Sequence, residues 1–374
     1  MQKFILLTLF SIITLTAMQS LAQELGDTEK ICTLEAVLEE NSGLVWLNGQ
    51  LWTHNDSGNS NELFCIDTTN CSVLRTVEIS NAINTDWEDI CADEHYVYVG
   101  DFGNNNGNRT NLCIYKISRD FTLHDSIDHI EADSITFHYP NQQQFEWEKH
   151  STNFDCEAII AEGDSLYLFS KNWGNLKTYL YALPKVPGEY PAILQDSFNV
   201  HGLVTGAAND TVENQITLIG YNQYMTSSFI YLLDSYEGVC FFNGNVTKLK
   251  PGLSLHQTEG IALNNGDIVL SNETFGSNPA ALYRTSLMYD YNEPILSTEI
   301  TPGFYPNPAE NSFQIINCKA FDRLTIKNIR GRIMLETNLQ SDSIRLPLYH
   351  LQSGTYIIEL RGNKTSYADI LIVE

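Results

Sequence analysis

The chain has 374 residues and a formal net charge of −25, and 43% of its residues are hydrophobic. A surface with this charge repels nucleic acid and anionic lipid, so the composition argues against both as partners. The length exceeds the usual size of a single domain, and the apolar fraction is ample for a core. We therefore expect one large and one small domain.

The first 22 residues predict export. Lys3 precedes an apolar run over residues 4–17, and Ser20, Leu21 and Ala22 are typical of a cleavage site. The run is shorter than the roughly 20 residues that span a bilayer, and no later segment approaches that length. We expect a signal peptide over residues 1–22 and a mature chain without a transmembrane segment.

Eight cysteines in an exported chain make disulfides possible. Cys65 and Cys71 flank a short turn between two strand-like runs, so we expect them to bridge a hairpin. The chain has no C-x-x-C motif, which argues against a structural zinc site.

A repeated pattern organises residues 42 to 272. Each unit has a small or polar residue, an apolar pair, a turn, an apolar strand and a polar residue that ends this strand. The five segments are SGLVWLNGQLWTHND (42–56), EDICADEHYVYVGD (88–101), EAIIAEGDSLYLFSK (157–171), TGAANDTVENQITLIGY (205–221) and EGIALNNGDIVLSN (259–272).

Further strands follow each segment and complete a four-stranded unit. A third apolar run follows every segment, and a fourth follows all but the last. Four strands repeating at roughly 45 to 50 residues are typical of a β-propeller blade. The spacing predicts an all-β fold over 23–299 with five blades, or six if the longest interval hides another. Residues 32–40 are expected to supply the missing strand and close the ring.

The pattern ends near residue 300, where three prolines fall within TPGFYPNPAENSF. Short alternating strands with glycine turns follow, which predicts a small Ig-like β-sandwich over 300–374. Tyr305–Ala309, IKNIRGRIM and Leu351–Ile358 resemble the C-terminal sorting domain of the type IX secretion system of Bacteroidetes. This resemblance implies an interaction of the tail with the secretion machinery, passage across the outer membrane, and attachment to the surface or release.

Polar residues recur at matching positions of the five units. Ser42, Glu88, Glu157, Thr205 and Glu259 start the first strand, and Asp56, Asp101, Lys171, Tyr221 and Asn272 end the second. In a propeller these positions meet at one channel mouth. Carboxylate and amide oxygens suit a hard cation such as Ca²⁺. The predicted ligand-binding set is Glu88, Glu157, Glu259, Asp56, Asp101, Lys171 and Asn272, with Glu88, Glu157 and Glu259 as metal ligands.

Two other interpretations of these positions stay open. The polar side chains could instead hydrogen-bond neighbouring blades and lock the ring, or they could activate a water for hydrolysis. We interpret Asp86 and Asp89 as turn or inter-blade hydrogen-bonding residues and His54 as structural. Trp87 and Trp173 are interpreted as packing residues, with stacking on a sugar as the alternative.

DWEDI, GDFGNNNGNR and FDCEA are similar to motifs of a group of exported bacterial propeller proteins with no settled activity. EGIA at Glu259 also resembles a blade motif of the gluconolactonase and NHL propellers, in which a glutamate helps to hold a divalent metal. The sequence therefore predicts an exported ligand- or protein-binding module. The alternatives are a metal-dependent hydrolase of the lactonase or phosphoesterase kind and a purely structural surface protein.

Overall fold

The computed structural model describes residues 23–289, except 125 and 265, and residues 302–373, except 306, 310, 317, 320, 329, 340, 342 and 363–365. The predicted signal peptide lies outside the described residues. The chain divides into two compact units, Met1–Asp290 and Tyr291–Glu374. No helix in the described ranges is long and apolar enough to span a bilayer.

Strands make up almost all the regular structure of the first unit. They are β1 (Gln23–Leu25), β2 (Glu29–Thr33), β3 (Asn41–Leu47), β4 (Gln50–Asn55), β5 (Glu62–Ile66), β6 (Val73–Ile79), β7 (Trp87–Ala92), β8 (Tyr96–Asp101), β9 (Leu112–Ser118), β10 (His129–Ile130), β11 (Asp133–His138), β12 (Cys156–Glu162), β13 (Ser165–Ser170), β14 (Thr178–Pro184), β15 (Gly188–Pro191), β16 (Ile193–Phe198), β17 (Leu203–Asp210), β18 (Gln215–Tyr221), β19 (Ser228–Asp234), β20 (Asn245–Leu249), β21 (Thr258–Asn264), β22 (Asp267–Asn272) and β23 (Ala281–Tyr289). Short 3-10 helices span Ala36–Leu38, Arg119–Leu123 and Phe241–Asn243.

These strands form five sheets among the described residues of the first unit. The sheets are β3-β4-β5-β6 with β10, β7-β8-β9-β11 with β15, β12-β13-β14-β16, β17-β18-β19-β20, and β21-β22-β23 with β1 and β2. The third runs predicted for the five units and the fourth runs predicted for the first four are therefore strands, as expected. The long interval between β8 and β12 supplies strands to the first two sheets and adds no further sheet among the described residues.

The innermost strands of the five sheets contact one another in a closed series. β3 contacts β7, β7 contacts β12, β12 contacts β17, β17 contacts β21, and β21 contacts β3. Apolar side chains fill the spaces between neighbouring sheets, with Trp52, Trp87 and Tyr98 among the largest fully buried ones. Burial of these residues between sheets holds the series together.

The N-terminal segment joins the last sheet of the unit. Both β1 and β2 pair antiparallel with β23, so the two ends of the unit meet in one sheet. A closing N-terminal strand was expected, but its position was wrong. Residues 29–33 form it, whereas residues 36–38 of the predicted segment form a 3-10 helix.

A disulfide reinforces this closure. Cys71, in the turn after β5, is bonded to Cys32 in β2 and not to Cys65 as expected. The hairpin prediction considered only neighbours in sequence. Closure of the chain brings β2 to the first sheet, and Cys32 thereby reaches Cys71.

The described residues of the second unit form two antiparallel sheets. Its strands are β24 (Gly303–Tyr305), β25 (Ser312–Ile316), β26 (Arg323–Asn328), β27 (Ile333–Asn338), β28 (Ser343–Pro347), β29 (Gly354–Arg361) and β30 (Ser366–Val373). One sheet is β24-β25-β28 and the other is β27-β26-β29-β30. Phe313 and Ile315 of the first sheet share a buried cluster with Ile326, Ile358 and Leu371 of the second.

Candidate functional site

A bulge recurs in the innermost strand of every sheet of the first unit. Pairing between the first and second strands skips one residue at Gly43, Glu88, Glu157, Thr205 and Glu259. A bulge leaves one residue out of the ladder and redirects its side chain. The alignment that placed Ser42 in this series is off by one residue. Gly43 occupies the position because a Cβ there would lie 2.8 Å from His54 Nε2.

The residues expected at the end of the second strand belong to three different positions, and Asp56 lies two residues beyond His54, which pairs with Ser42. Asp101 and Asn272 pair with the residue before the bulge, Trp87 and Thr258 respectively. In the third sheet Ser170 holds that place, so Lys171 lies one residue farther on. Because alternate residues of a strand face opposite sides, Lys171 points away from the direction that Asp101 and Asn272 take.

A cavity of about 520 Å³ opens where the innermost strands begin. Asp56, Glu88, Glu157, Lys171 and Glu259 of the predicted set line it, whereas Asp101 and Asn272 do not. The Asp101 carboxylate accepts a hydrogen bond from Arg109 at 2.8 Å. The Asn272 amide donates to the carbonyl oxygens of Glu273 and Pro279. Both of these side chains therefore support the surrounding backbone.

Two groups of three carboxylates lie at this cavity and share Glu88. One consists of Asp56, Asp86 and Glu88 and the other of Glu88, Asp155 and Glu157, with one oxygen of each residue within 4.8 Å of the others in its group. Glu259 belongs to neither group, so the predicted trio of metal ligands is not brought together as a set. Asp86 was interpreted as a turn or hydrogen-bonding residue, and the structure places it in the first group.

Asp86 and Asp155 were missed as site residues although the sequence carries a signal for them. Each precedes a bulge glutamate by two residues, in Asp86-Trp87-Glu88 and Asp155-Cys156-Glu157. This repeated D-x-E spacing tends to place both carboxylates on one side of an extended segment.

Protein donors already neutralise the group that contains Glu157. Lys171 Nζ lies 2.6 and 2.5 Å from the two Glu157 carboxylate oxygens. The Asp155 carboxylate accepts the Asn104 backbone N–H at 2.6 Å and the Trp173 indole N–H at 2.8 Å. The charge of Glu157 beside Lys171 keeps the lysine pKa well above its usual value, against the opposing effect of burial. These contacts make a buried ion pair with a hydrogen-bonded neighbour.

The group of Asp56, Asp86 and Glu88 has far fewer donors. Glu88 is 4% exposed, and its Oε1 has no hydrogen-bond partner. Burial, then the charges of Glu157 and Asp56, raise the pKa of Glu88 well above its usual value. Burial also raises the pKa of Asp86 to about 7 and that of Asp56 to about 6. Arg109 is the nearest cation, 3.9 Å from Asp86 Oδ2.

The turn that follows β8 forms one wall of this group. A Cβ at Gly103 would lie 1.9 Å from Glu88 Oε1 and 2.6 Å from Asp86 Oδ2. Arg109 donates to the Gly103 carbonyl oxygen at 2.7 Å and thereby holds the turn in place. The glycine and arginine of GDFGNNNGNR therefore make room for the acidic group and position it.

Glu259, at the bulge of β21, lines the same cavity in a different setting. Its Oε2 has no hydrogen-bond partner, and its Oε1 lies 3.5 Å from the Tyr221 hydroxyl. Burial raises the pKa of Glu259 to about 8, which favours its protonated form near neutral pH. It can donate a hydrogen bond into the cavity.

The aromatic residues singled out in the sequence have different roles. Trp87 is fully buried and packs edge-on against His54, as expected for a packing residue. Burial lowers the pKa of His54 to about 4, which agrees with a structural role. Trp173 lines the cavity and stacks on His150 with ring centroids 4.0 Å apart.

Comparisons with solved structures give distant likenesses only. PorZ, a bacterial surface component of the type-IX secretion system of Porphyromonas gingivalis, is 14% identical with a TM-score of 0.34, and the match covers 89% of this chain and 45% of PorZ. Myxococcus xanthus glutaminyl cyclase is 10% identical with a TM-score of 0.41 and coverages of 71% and 97%. A GH43_1 enzyme from Xanthomonas citri is 11% identical with a TM-score of 0.37 and coverages of 66% and 86%. No curated protein matches the chain significantly.

The tail has a clear match. Residues 303–374 match the family model described as the secretion system C-terminal sorting domain. This is the segment in which the motifs of the type IX sorting domain were found, and it implies an interaction with the secretion machinery. The chain is therefore a protein that is secreted or attached to the outer cell surface.

Proposed function

We propose that residues 23–299 form a five-bladed β-propeller that binds an extracellular ligand at the acidic cavity, and that residues 300–374 serve for sorting. The cavity holds a divalent cation, preferentially Ca²⁺, on Asp56, Asp86 and Glu88. Two of these ligands come from the start of β7, and the third follows β4 of the preceding sheet. The closed series of innermost strands supports the propeller, since it brings residues of different sheets to one mouth.

One observation carries the metal proposal. Glu88 Oε1 is buried without a hydrogen-bond partner, in a group of three carboxylates in which the Arg109 guanidinium approaches only Asp86, at 3.9 Å. Burying a carboxylate without a compensating partner costs several kcal/mol, about 3 in typical cases of broken buried pairs. A hard cation that accepts six to eight oxygen ligands removes this cost, and carboxylate oxygens are its preferred partners. Lys171 compensates the buried charge of Glu157 in the same way. The group of Glu88, Asp155 and Glu157 therefore needs no metal.

Thermal unfolding tests this proposal. At a free Ca²⁺ concentration about 100 times Kd, binding to the folded state contributes about 2.7 kcal/mol, or roughly 5 °C in Tm. EDTA should abolish the increase. In Glu88→Gln the charge repulsion is relieved, so we expect a higher Tm without metal and no response to Ca²⁺. Glu131→Gln, an exposed substitution, serves as the control.

The proposal fails if neither Ca²⁺ nor EDTA changes the Tm of the unaltered protein. A stabilised Glu88→Gln variant together with that outcome would mean that the acidic group is only a structural feature of the ring.

Glu259 favours a second candidate, a metal-dependent hydrolase of the lactonase or phosphoesterase kind. A protonated carboxyl beside a cation site can act as a general acid while the cation activates a water. Turnover of p-nitrophenyl phosphate or of a γ-lactone that requires Ca²⁺ and is lost in Glu259→Gln would support this candidate. Absence of turnover in both assays leaves the binding module.

A further inference from the structure

The loop over residues 140–155 places a large aromatic side chain at the rim of the acidic cavity. Its backbone is anchored to the turn after β8, because the N–H groups of Glu148 and His150 donate to the carbonyl oxygens of Asn106 and Asn105, each at 3.0 Å. Trp147 directly precedes the first of these anchoring residues in sequence and lines the cavity, yet its side chain is 66% exposed.

An exposed indole held beside a polar cavity is not explained by packing. Trp173 is already covered, with His150 stacked on its ring and Lys171 Nζ 5.1 Å from its centroid. Trp147 instead leaves much of its apolar surface open to solvent. Such amphipathic aromatic residues supply large contact areas for ligands at low cost in conformational entropy.

The cation site restricts the charge of the ligand. With a divalent cation bound, the site formed by the carboxylates of Asp56, Asp86 and Glu88 would have a net charge of −1. The nearby Glu157 is neutralised by Lys171. Three carboxylates also leave coordination positions of Ca²⁺ unfilled. Neutral oxygen atoms suit these positions better than a further anion does. Glu259 and Tyr221 also line the cavity, and the unpartnered Glu259 Oε2 and the Tyr221 hydroxyl can hydrogen-bond a ligand.

We propose that the ligand is a carbohydrate. Two neighbouring hydroxyl groups complete the coordination of the cation, one face of the sugar ring rests on Trp147, and Glu259 and Tyr221 hydrogen-bond the far side of the ring. This inference rests on the cation site proposed above. A sugar is a rigid molecule that combines the three features required. It offers a pair of hydroxyl groups to the cation, an apolar ring face to Trp147, and further hydroxyl groups to Glu259 and Tyr221.

An array of printed neutral oligosaccharides, probed with labelled protein of residues 23–374, tests the inference. We expect binding in CaCl₂ and its loss in EDTA. Trp147→Ala should weaken binding about tenfold and leave the Ca²⁺-induced increase in Tm unchanged, and Trp147→Phe should restore part of the affinity. Tyr349→Ala, an exposed aromatic residue of the second unit, is the matched control and should bind as the unaltered protein does.

The outcomes separate the two proposals. An increase in Tm with Ca²⁺ but no binding to any oligosaccharide overturns the carbohydrate inference alone. Absence of that increase overturns the proposed cation site, and with it the carbohydrate inference that rests on this site. Binding that persists in EDTA and is displaced by spermine would identify a cationic amine as the ligand and would also overturn the inference, as would a Trp147→Ala variant with unchanged affinity.

Discussion

Asp89 connects three sheets through one side chain. Its Oδ2 accepts the backbone N–H groups of Ile159 and Ala207 at 2.9 and 3.2 Å, and its Oδ1 accepts that of Ile90 at 2.9 Å. These donors belong to β12, β17 and β7. Burial raises the pKa of Asp89 well above its usual value, while the three N–H donors oppose this effect. Asp89 therefore makes hydrogen bonds between neighbouring sheets, as was expected of a residue that connects repeats.

The substitution Asp89→Asn should destabilise the fold by about 2 kcal/mol, because the amide NH₂ group would face a backbone donor and leave it unsatisfied. Urea unfolding of the variant measures this loss, with the exposed substitution Asp120→Asn as the control. Equal stability of the two variants would show that the three hydrogen bonds contribute nothing.

Asp93 predicts a dependence of stability on pH. Burial raises the pKa of Asp93, but N–H donors of His95 and Tyr96 and the Lys185 ammonium at 3.0 Å outweigh this and lower it to about 2. The folded-state pKa lies below the ordinary 3.8, so the stabilisation is present above pH 4 and is lost as the pH falls towards 2. The difference in unfolding free energy between the unaltered protein and Asp93→Asn should be larger at pH 5 than at pH 2.5. A difference that is constant over this range would contradict the assignment.

At this scale the sequence identified part of the site. Glu88, Glu157 and Glu259 could be aligned because a short apolar pair follows each of them. The opposite directions of Lys171 and Asp101 could not be predicted, because they depend on where one bulge residue leaves the ladder. The Lys171–Glu157 ion pair depends on the same detail.

The recurring bulge is the element that builds the cavity. It places a charged or small residue at the same point of each innermost strand, and only Gly43 lacks a side chain there. A sequence pattern of alternating apolar and polar residues does not predict bulges, because a bulge interrupts the alternation that the pattern assumes. This is why the sequence predicted the strands well but predicted poorly the directions of the side chains at the strand ends.

The disulfide between Cys32 and Cys71 fastens the N-terminal strand to the first sheet. The two cysteines are 39 positions apart in sequence, and a loop of this size corresponds to about 4 kcal/mol in the chain-entropy model. Reduction should therefore lower the Tm of the unaltered protein. The double variant Cys32→Ser, Cys71→Ser should unfold at the lowered temperature whether or not reductant is present.

Peptide mapping of the unreduced protein provides the direct check on this pairing. A cross-linked peptide that contains Cys65 and Cys71 would contradict it, as would a Tm that does not respond to reductant.

The fold of the first unit depends on the pairing of its N-terminal strands with its last strand. β1 and β2 occupy the edge of the sheet formed by β21, β22 and β23, which the alignment of repeats could suggest but not locate. Sequence periodicity is a local signal, whereas this pairing joins residues more than 250 positions apart, such as Glu29 and Arg284. The expected role of the N-terminal segment was correct and its residues were not.

The division into two compact units predicts independent stability. A protein of residues 23–299 should unfold within about 2 °C of the corresponding transition of residues 23–374, because the two units have separate cores. Differential scanning calorimetry of both proteins measures this. Loss of cooperative unfolding in the shorter protein would show that the second unit is required for the first to fold.

The central claim is that the ring of sheets brings Asp56, Asp86 and Glu88 together as a cation site, with Glu157 neutralised by Lys171 and Glu259 outside the coordination. Isothermal titration calorimetry of Ca²⁺ into EDTA-treated, dialysed protein tests it most directly. We predict one ion per chain, binding abolished in Glu88→Gln, and binding retained in Glu259→Gln. Absence of Ca²⁺ binding, or its loss in Glu259→Gln with retention in Glu88→Gln, would contradict the account.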